Sequence, residues 1–328
     1  MSGRPFRRGL EELGDGLHAW MQPDGGWGWS NAGFVRDGDE ALLIDTLFDE
    51  PLTSVMLAAI QSATGISPER IGQLVNTHAN GDHTHGNALV PNAEIIASNA
   101  AAREMDELSP AVLARLKAGG AAGTIGEAGR FFAEVFAPFD FARARGRAPT
   151  RTFDGRLDLQ VGDKRVELHM LGPAHTAGDV LVWLPAERTV FTGDLLFIGG
   201  TPVMWAGPVA NWLAACDRIL ALGATNIVPG HGPMTDAAGV RGVQDYLRYV
   251  DREARQRFDA GMPAETAALD IALGEYRHWL DAERIAVNVD TLYRGYRGDH
   301  SPPNVVRLFG LMATVRRKQR SVANGVKS

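Results

Sequence analysis

Residues 77–87 read THANGDHTHGN and directly follow IGQLVN, a β-branched and apolar stretch that ends at Asn76. This loop brings three histidines and one aspartate together, namely His78, Asp82, His83 and His85. Neutral imidazole and carboxylate are ligands that Zn²⁺ and similar first-row ions accept. A predicted strand that runs straight into such a cluster is typical of a metal site.

Three more candidate ligands follow predicted strands farther along the chain. They are His175 in GPAHTAGD, Asp194 in VFTGDLLF and His231 in NIVPGHGP. A single histidine at a strand end is more often solvated or hydrogen-bonded than a metal ligand, and Asp194 alone could cap the turn that follows it. The ordered series is harder to explain by packing, so we predict that these residues share one site.

The spacing favours two ions rather than one. Asp82 and His83 are adjacent and can reach one ion from a single turn, whereas His78 is better placed for a second ion beside it. Asp194 could bridge the two. Ions about 3.5–4 Å apart activate water near neutral pH and polarise a carbonyl. The pattern therefore predicts hydrolytic chemistry with one or two Zn²⁺ ions, and manganese and iron stay open as alternatives.

Over most of residues 10–235 the order of these motifs resembles that of the metallo-β-lactamase-fold hydrolase superfamily. The resemblance implies an α/β fold, an αββα sandwich of two mixed β-sheets flanked by helices, with a metal centre at one edge. By position it implies these ligands: His78 and His175 at site 1, Asp82, His83 and His231 at site 2, and Asp194 at both. It also implies that Asp82 is catalytic and orients the attacking water.

One position departs from the family signature HxHxDH, because Asn80 stands where the second histidine is expected. An amide oxygen is a weaker donor than imidazole for these ions, so we predict Asn80 as a weak ligand and weaker binding at site 1. His85 could support a ligand or face the substrate. Asp45, at the end of ALLID, could orient a ligand histidine or serve only as a turn residue.

Three segments resemble a bacterial group that includes aromatic polyketide cyclases with thioesterase-like behaviour, namely 25–46, 77–87 and 283–296. The first hypothesis is metal-dependent hydrolysis of an ester, thioester, lactone or lactam in an apolar or aromatic small molecule or a carrier-bound acyl chain. The alternative is polyketide cyclisation, in which metal ions polarise carbonyls for intramolecular condensation. Redox use is disfavoured, because the family's di-iron reductases carry glutamate where this chain has Asn80.

Three tryptophans occupy loops near the predicted metal ligands. Trp27 and Trp29 lie in a Gly-rich loop, and Trp205 follows the Asp194 strand. Loops at one edge of a rigid sandwich commonly carry binding residues. We predict that these indoles line an apolar or aromatic substrate pocket, with core packing as an equal alternative for Trp205.

The pattern along the chain divides it into a catalytic part and helical additions. We predict a metal-binding domain at 1–239 with a helical insertion at 99–150, and a helical C-terminal extension at 240–328. Within the insertion, the Gly-rich tract 119–129 is predicted to be flexible. The phenylalanines of 131–141 could roof the site or simply pack the insertion onto the core.

Composition limits the partners. A net charge of −6 and a pI near 5.9 disfavour nucleic acid, which normally requires a basic surface. The sequence contains neither a secretory apolar core near its start nor a run of about 18–20 apolar residues for a membrane span. We therefore expect a cytoplasmic protein without a membrane partner, and a homodimer stays open.

Overall fold

The strand that ends at the histidine loop lies inside a seven-stranded mixed sheet. The computed structural model of the protein describes residues 6–105 and 109–325. The strands of this sheet, in chain and spatial order, are β1 (Gly9–Gly14), β2 (Leu17–Met21), β3 (Ala32–Asp37), β4 (Glu40–Ile44), β5 (Gln73–Val75), β6 (Glu94–Ser98) and β7 (Arg151–Phe153). Strands β1 to β4 pair antiparallel, with the loop 22–31 between β2 and β3, and β4 to β7 pair parallel through longer crossovers.

A second, five-stranded sheet packs on the first. Its strands are β8 (Arg156–Val161), β9 (Lys164–Met170), β10 (Val180–Leu184), β11 (Thr189–Phe191) and β12 (Asn226–Val228). Buried side chains of both sheets form one apolar cluster, which includes Val35 and Val75 from the first sheet and Val182 and Phe191 from the second. Gly33 permits the close approach, because a Cβ there would lie 2.5 Å from the Phe191 ring.

Helices cover the outer faces of both sheets. They are α1 (Glu50–Thr64), α2 (Gly81–Thr84), α3 (Asn99–Glu104), α4 (Pro110–Ala121), α5 (Gly126–Val135), α6 (Val209–Ala221), α7 (Ala237–Asp259), α8 (Ala264–Asp270), α9 (Ile285–Arg297) and α10 (Val305–Gly325). Asp49 caps α1 by accepting from Leu52 N at 2.8 Å, a contact typically worth about 1 kcal/mol. The layered arrangement confirms the predicted αββα sandwich.

The insertion contains α3, α4 and α5. Its Gly-rich tract 119–129 forms the end of α4, a turn at 122–125 and the start of α5, and its flexibility stays a prediction. A Cβ on Gly120 would lie 1.9 Å from the Gly129 carbonyl oxygen, so glycine allows the two helix backbones to touch. Glycine had signalled mobility in the sequence, whereas its function here is close helix packing.

The C-terminal helices share their core with the rest of the protein. The largest apolar cluster joins Phe136 of the insertion segment, Trp212 of α6, Tyr246 of α7 and Phe309 of α10. Helix α7 starts at Ala237, three residues before the predicted start of the extension. Within the described ranges, no helix combines the length and apolarity that crossing a bilayer would require.

Candidate metal centre

The histidine loop is fixed by a pair of buried asparagines. Asn76 ends the strand region, and its side chain exchanges hydrogen bonds with that of Asn87 at 2.8 and 3.2 Å. The Asn76 amide also donates to the backbone oxygen of His83 at 3.0 Å. Gly81 begins α2, and a Cβ there would collide with the His85 ring at 2.4 Å. These contacts hold the loop that carries His78, Asp82 and His83.

The structure brings the six predicted His and Asp ligands together in two buried groups. The first group is His78, His175 and Asp194, and the second is Asp82, His83 and His231. In each group the potential ligand atoms lie within 4.8 Å of one another. The grouping is the one that the family resemblance implies, in which Asp194 serves both sites: it is a member of the first group, and its oxygens also lie 3.1 and 3.4 Å from His83 and His231 of the second.

Asp194 is the centre of the cluster. Its Oδ2 lies 3.3 Å from His175 Nε2, 3.4 Å from His231 Nε2 and 3.7 Å from His78 Nε2. Its Oδ1 lies 3.1 Å from His83 Nε2. Asp82 is more local, since its Oδ2 faces His231 Nε2 at 3.3 Å and His83 Nε2 at 3.9 Å. One carboxylate therefore faces four imidazoles and the other faces two.

Asn80 lies beside the first group. Its side-chain Nδ2 is 3.2 Å from His175 Nε2, on the side that faces the other ligands. Rotation of the amide would present its oxygen to the same place. The residue is thus positioned as a neutral oxygen donor where a third imidazole of the first group would otherwise be.

The buried polar atoms of the cluster fit a cation. Nε2 of His78, Nε2 of His83 and Oδ1 of Asp194 are buried and make no well-aligned hydrogen bond within the described part of the chain, although the last two face each other at 3.1 Å. Buried polar atoms normally have a hydrogen-bond partner or a bound ion, so these three converging atoms are expected to share one. Imidazole nitrogen with carboxylate oxygen is a donor set for a divalent transition ion.

Burial and neighbouring charges together set the protonation of the ligand side chains. Burial opposes ionisation of Asp194, but the four surrounding histidines, His231 and His83 foremost, hold its pKa well below the usual range. Burial lowers the pKa of His78 and His175, which favours their neutral, metal-binding form. For His231, Asp194 and Asp82 outweigh burial and raise the pKa to about 9. A divalent ion binding there would displace that proton.

Asp45 positions histidines of both groups. Its Oδ2 accepts from His83 Nδ1 at 2.9 Å and from Thr77 Oγ1 at 2.7 Å. Thr77 Oγ1 in turn lies 3.0 Å from His78 Nδ1, so its lone pair can accept the proton of that ring. With Nδ1 occupied in this way, each ring presents Nε2 to the cluster. Of the two roles considered for Asp45, these contacts support the orientation of a ligand histidine.

His175 and His231 are oriented by other means. His175 Nδ1 donates to the backbone oxygen of Val203 at 2.6 Å, which leaves Nε2 for the cluster. The His231 ring stacks on Phe197, with centroids 5.0 Å apart and planes 4° from parallel. Sequence reasoning missed Thr77, Val203 and Phe197. Only Thr77, next to His78, offered a signal, since a backbone carbonyl leaves none in the sequence.

A cavity of about 390 Å³ opens onto the cluster. Asn80, Asp82, His175, Asp194 and His231 form its polar end. The remaining wall is mostly apolar and comes from the Trp27 loop, Phe48, the insertion, the stretch 197–206 and the C-terminal part of the chain. Its aromatic members are Trp27, Phe48, Phe132, Phe136, Phe197, Trp205 and Phe309.

The predicted substrate residues divide into two classes in this cavity. Trp27 and Trp205 are part of its wall. Trp29 packs on Phe139 at 4.9 Å, and His85 packs against Phe48 at 5.6 Å, and both lie outside the lining that the described residues form. The cavity lining does not support a substrate-facing role for Trp29 and His85, which stays a prediction. Their ring neighbours are aromatic side chains of the insertion and the core.

Comparison with known proteins gives a consistent picture for the first two thirds of the chain. A family model described as the metallo-beta-lactamase superfamily matches residues 25–231. The beta-lactamase-like protein 2 homolog of Caenorhabditis elegans is 25% identical over 227 residues, covering 69% of this chain and 63% of that protein. Hydroxyacylglutathione hydrolase of Brucella ovis is 34% identical over 82 residues, which cover 25% of this chain and 32% of the relative.

A further relative and two solved structures extend the comparison. The 2,4-dinitroanisole O-demethylase subunit alpha of a Nocardioides species is 26% identical over 60% of this chain and 50% of that protein. The chain thus spans less than two thirds of the length of these curated relatives. A metallo-beta-lactamase from Pontibacter korlensis superposes with a TM-score of 0.56 at 19% identity, covering 74% of this chain and 99% of that structure. A sec-alkylsulfatase from Pseudomonas superposes with a TM-score of 0.66 at 15% identity, covering 90% of this chain and 52% of that structure.

Proposed function

Because the chain belongs to the metallo-beta-lactamase superfamily, whose members are generally metal-dependent hydrolases, we propose that it hydrolyses an acyl bond of an apolar or aromatic molecule. The substrate class is an ester, thioester, lactone or lactam, either small or attached to a carrier. The observation that carries the proposal is the contact between two buried ligand groups and a largely apolar cavity. The name of the Brucella relative, which describes an acyl hydrolase, is consistent with it.

The residues present can hold one or two divalent ions, with zinc as the proposed metal. His78, His175 and Asp194 would hold one, with Asn80 as a weak fourth donor, and Asp82, His83 and His231 the other. A divalent ion bound there supplies Lewis acidity, which activates water near neutral pH and polarises a carbonyl. The chain's own contribution begins with placing that chemistry at one end of a largely apolar cavity.

Asp82 is the proposed catalytic residue of the chain itself. It faces the cavity, and burial disfavours its ionised form. His83 and His231 outweigh burial and hold the pKa of Asp82 well below the usual range. The carboxylate therefore stays ionised and can accept a hydrogen bond from water, which orients that water toward a bound carbonyl.

Aromatic walls define the proposed substrate end of the cavity. Trp27 meets Phe136 edge-on with ring centroids 5.9 Å apart, and Phe309 lies 6.0 Å from Trp27 on another side. Phe132 completes the wall, at 5.3 Å from Phe309. Flat aromatic groups and extended acyl chains gain most from such a surface, since each apolar Å² removed from water contributes about 25 cal/mol.

Polyketide cyclisation is the alternative use of the same geometry. It would draw on the same Lewis acidity, and the aromatic wall of the cavity could hold a chain folded on itself. The difference lies in the attacking group, which is water in hydrolysis and a carbon nucleophile of the substrate in cyclisation. Product masses separate the two, because hydrolysis adds one water to the substrate and condensation adds none.

The proposal is tested by metal-dependent turnover. Purified protein is stripped with a chelator, reloaded with Zn²⁺, Mn²⁺ or Fe²⁺, and assayed on aryl and alkyl esters, thioesters, lactones and lactams. We expect hydrolysis that vanishes on stripping and returns on reloading, with aryl or long acyl groups preferred over acetyl. Metal binding without hydrolysis of any substrate, together with cyclised product from a polyketide thioester, would favour the alternative. Failure to bind metal would contradict both.

The two loop tryptophans provide a matched test of the cavity. Trp27→Ala removes an indole from the wall, whereas Trp29→Ala removes one that packs on Phe139 outside it. We expect Trp27→Ala to raise KM for aryl substrates by roughly 10-fold, on the scale of 1–3 kcal/mol for a lost apolar contact, with less effect on acetyl esters. Trp29→Ala should leave KM within about 2-fold. Equal effects of the two variants would contradict this assignment.

A further inference from the structure

The orientation of His175 depends on a loop rather than on a strand or helix. Val203, whose carbonyl oxygen receives the His175 Nδ1 proton at 2.6 Å, lies in an irregular stretch between Thr201 and Trp205. The same stretch returns to His175 through Trp205 N, which donates to the His175 backbone oxygen at 2.9 Å. Whatever fixes residues 201–205 therefore also fixes the tautomer and direction of His175.

Helix α9 holds this loop through side chains that bond to its backbone. Asn288 accepts from Met204 N at 2.8 Å and donates to the Pro202 oxygen at 2.9 Å, so one amide grips the residues on both sides of Val203. Thr291, one turn later, donates to the Met204 oxygen at 2.6 Å. The loop's backbone is thus tied to α9 rather than to either sheet.

Arg284, the residue just before α9, binds the start of the same loop. Its Nη1 donates to the Thr201 oxygen at 2.9 Å. Its guanidinium lies 4.2 Å from the centre of the Trp27 ring and 5.3 Å from that of Phe197, the ring on which His231 stacks. The segment 284–291 therefore contacts supports of a histidine in each ligand group.

Asn288 is the central member of this arrangement. It is 1% exposed, and its Nδ2 also donates to the hydroxyl of Tyr246 on α7 at 2.9 Å. Both ends of its amide are occupied, and a satisfied buried amide with three partners fixes one backbone geometry strongly. Replacing it with an apolar residue would leave Met204 N and the Pro202 oxygen without their partner.

We propose that Asn288 is a positioning residue of the metal centre, which acts through Met204, Pro202 and Val203 to hold His175 for metal binding. This inference rests on the metal binding of the proposed function but not on its substrate. Its consequence is that residues beyond the matched range 25–231 help to complete the ligand group of His78, His175 and Asp194. The group of Asp82, His83 and His231 has no contact with Asn288 in the structure described.

The test compares two variants on the same helix in the full chain. Asn288→Ala removes the grip on the loop, whereas Val289→Ala shortens a neighbouring side chain that is fully buried in the apolar cluster. Zn²⁺ is titrated into the stripped proteins by calorimetry against a competing chelator. Co²⁺ absorption spectra report the geometry of each bound ion, and thermal melting of the stripped proteins reports stability.

We expect Asn288→Ala to weaken one of two binding events by about 10–100-fold, the usual loss when the partner of a ligand histidine is removed. The other event should be unchanged, and the Co²⁺ spectrum should change for one ion only. Val289→Ala should lower the melting temperature but bind both ions as wild type does. If Asn288→Ala fails to fold, Thr291→Val removes only the bond to Met204 and should give a smaller loss at the same event.

Three outcomes would overturn the inference. They are wild-type affinity for both ions in a folded Asn288→Ala or Thr291→Val variant, an equal loss in Val289→Ala, or weakening of both events together. The first two leave the proposed hydrolase standing, because wild-type protein would still bind metal and turn over substrate. Failure of the wild type to bind metal would remove the proposed function as well, so the two failures are distinguishable.

Discussion

Replacing Asp194 with asparagine is expected to abolish tight binding of divalent metal in both ligand groups and to lower kcat/KM by at least about 1,000-fold. The reason is its central place, with four histidine Nε2 atoms within 3.1–3.7 Å of its two oxygens. Asparagine keeps the shape but is neutral and a weaker donor for first-row ions. No other ligand of the cluster, among the described residues, faces both groups so closely.

Elemental analysis of the purified variant, with equilibrium dialysis against Zn²⁺, measures the loss. The matched control is Asp179→Asn, a change at another buried aspartate, which accepts hydrogen bonds from Thr176 instead of facing the cluster. Burial raises the pKa of Asp179 to about 8, so near pH 7 asparagine replaces a carboxyl that is mostly protonated. The control should bind metal as wild type does. An Asp194→Asn protein with full metal content would contradict the assignment of Asp194 to both sites.

Replacing Asp82 with asparagine should reduce kcat/KM almost as much as Asp194→Asn does, but one of the two metal ions should remain bound. Asp82 faces only His83 and His231, at 3.9 and 3.3 Å, so the group of His78, His175 and Asp194 keeps all its members. We expect binding at the second group to weaken, and kcat to fall by roughly 100–1,000-fold because the neutral amide no longer orients water as a carboxylate does. KM should change little, since the apolar wall is untouched.

Metal stoichiometry separates this variant from the previous one. Asp82→Asn should retain one tightly bound ion per chain under conditions that load two in wild type, whereas Asp194→Asn should retain none. Saturating Zn²⁺ should refill the second group of Asp82→Asn without restoring kcat. Recovery of wild-type kcat at high Zn²⁺ would show that Asp82 contributes only as a ligand and would remove its proposed catalytic role.

The placement of the predicted ligands illustrates what a sequence can reveal. Residues such as His78, His83 and His231 follow strands, and strand ends of one sandwich meet at the same edge, so their convergence follows from topology. The position of Asn80 beside the first ligand group could be predicted as well, because its place in the motif fixes where its amide lies. The layered fold followed from alternating strand and helix signals, which are local properties of the chain.

Other features depended on contacts that no local pattern records. Val203 holds His175 with a backbone oxygen, and Asn288 reaches that loop from more than eighty residues away. The Gly120–Gly129 contact leaves no local signal, because glycine permits both flexible and tightly packed backbone, and only the neighbouring helix decides between them. The contact of Trp29 with Phe139 could not be predicted for a similar reason, since an indole in a loop can face a cavity or an adjoining ring.

The part of the cavity wall that α5 and α10 form, called the roof here, is separate in sequence from the candidate metal ligands. Helices α5 and α10 supply Phe132 and Phe309 to the wall, yet neither helix carries any of the six candidate ligands. A change of size or shape at those wall positions alters which molecules fit, while the reacting end keeps its full complement of groups. Selectivity and reactivity are therefore encoded on different stretches of polypeptide. Substitutions on α5 and α10 alone can therefore change which molecules the protein accepts.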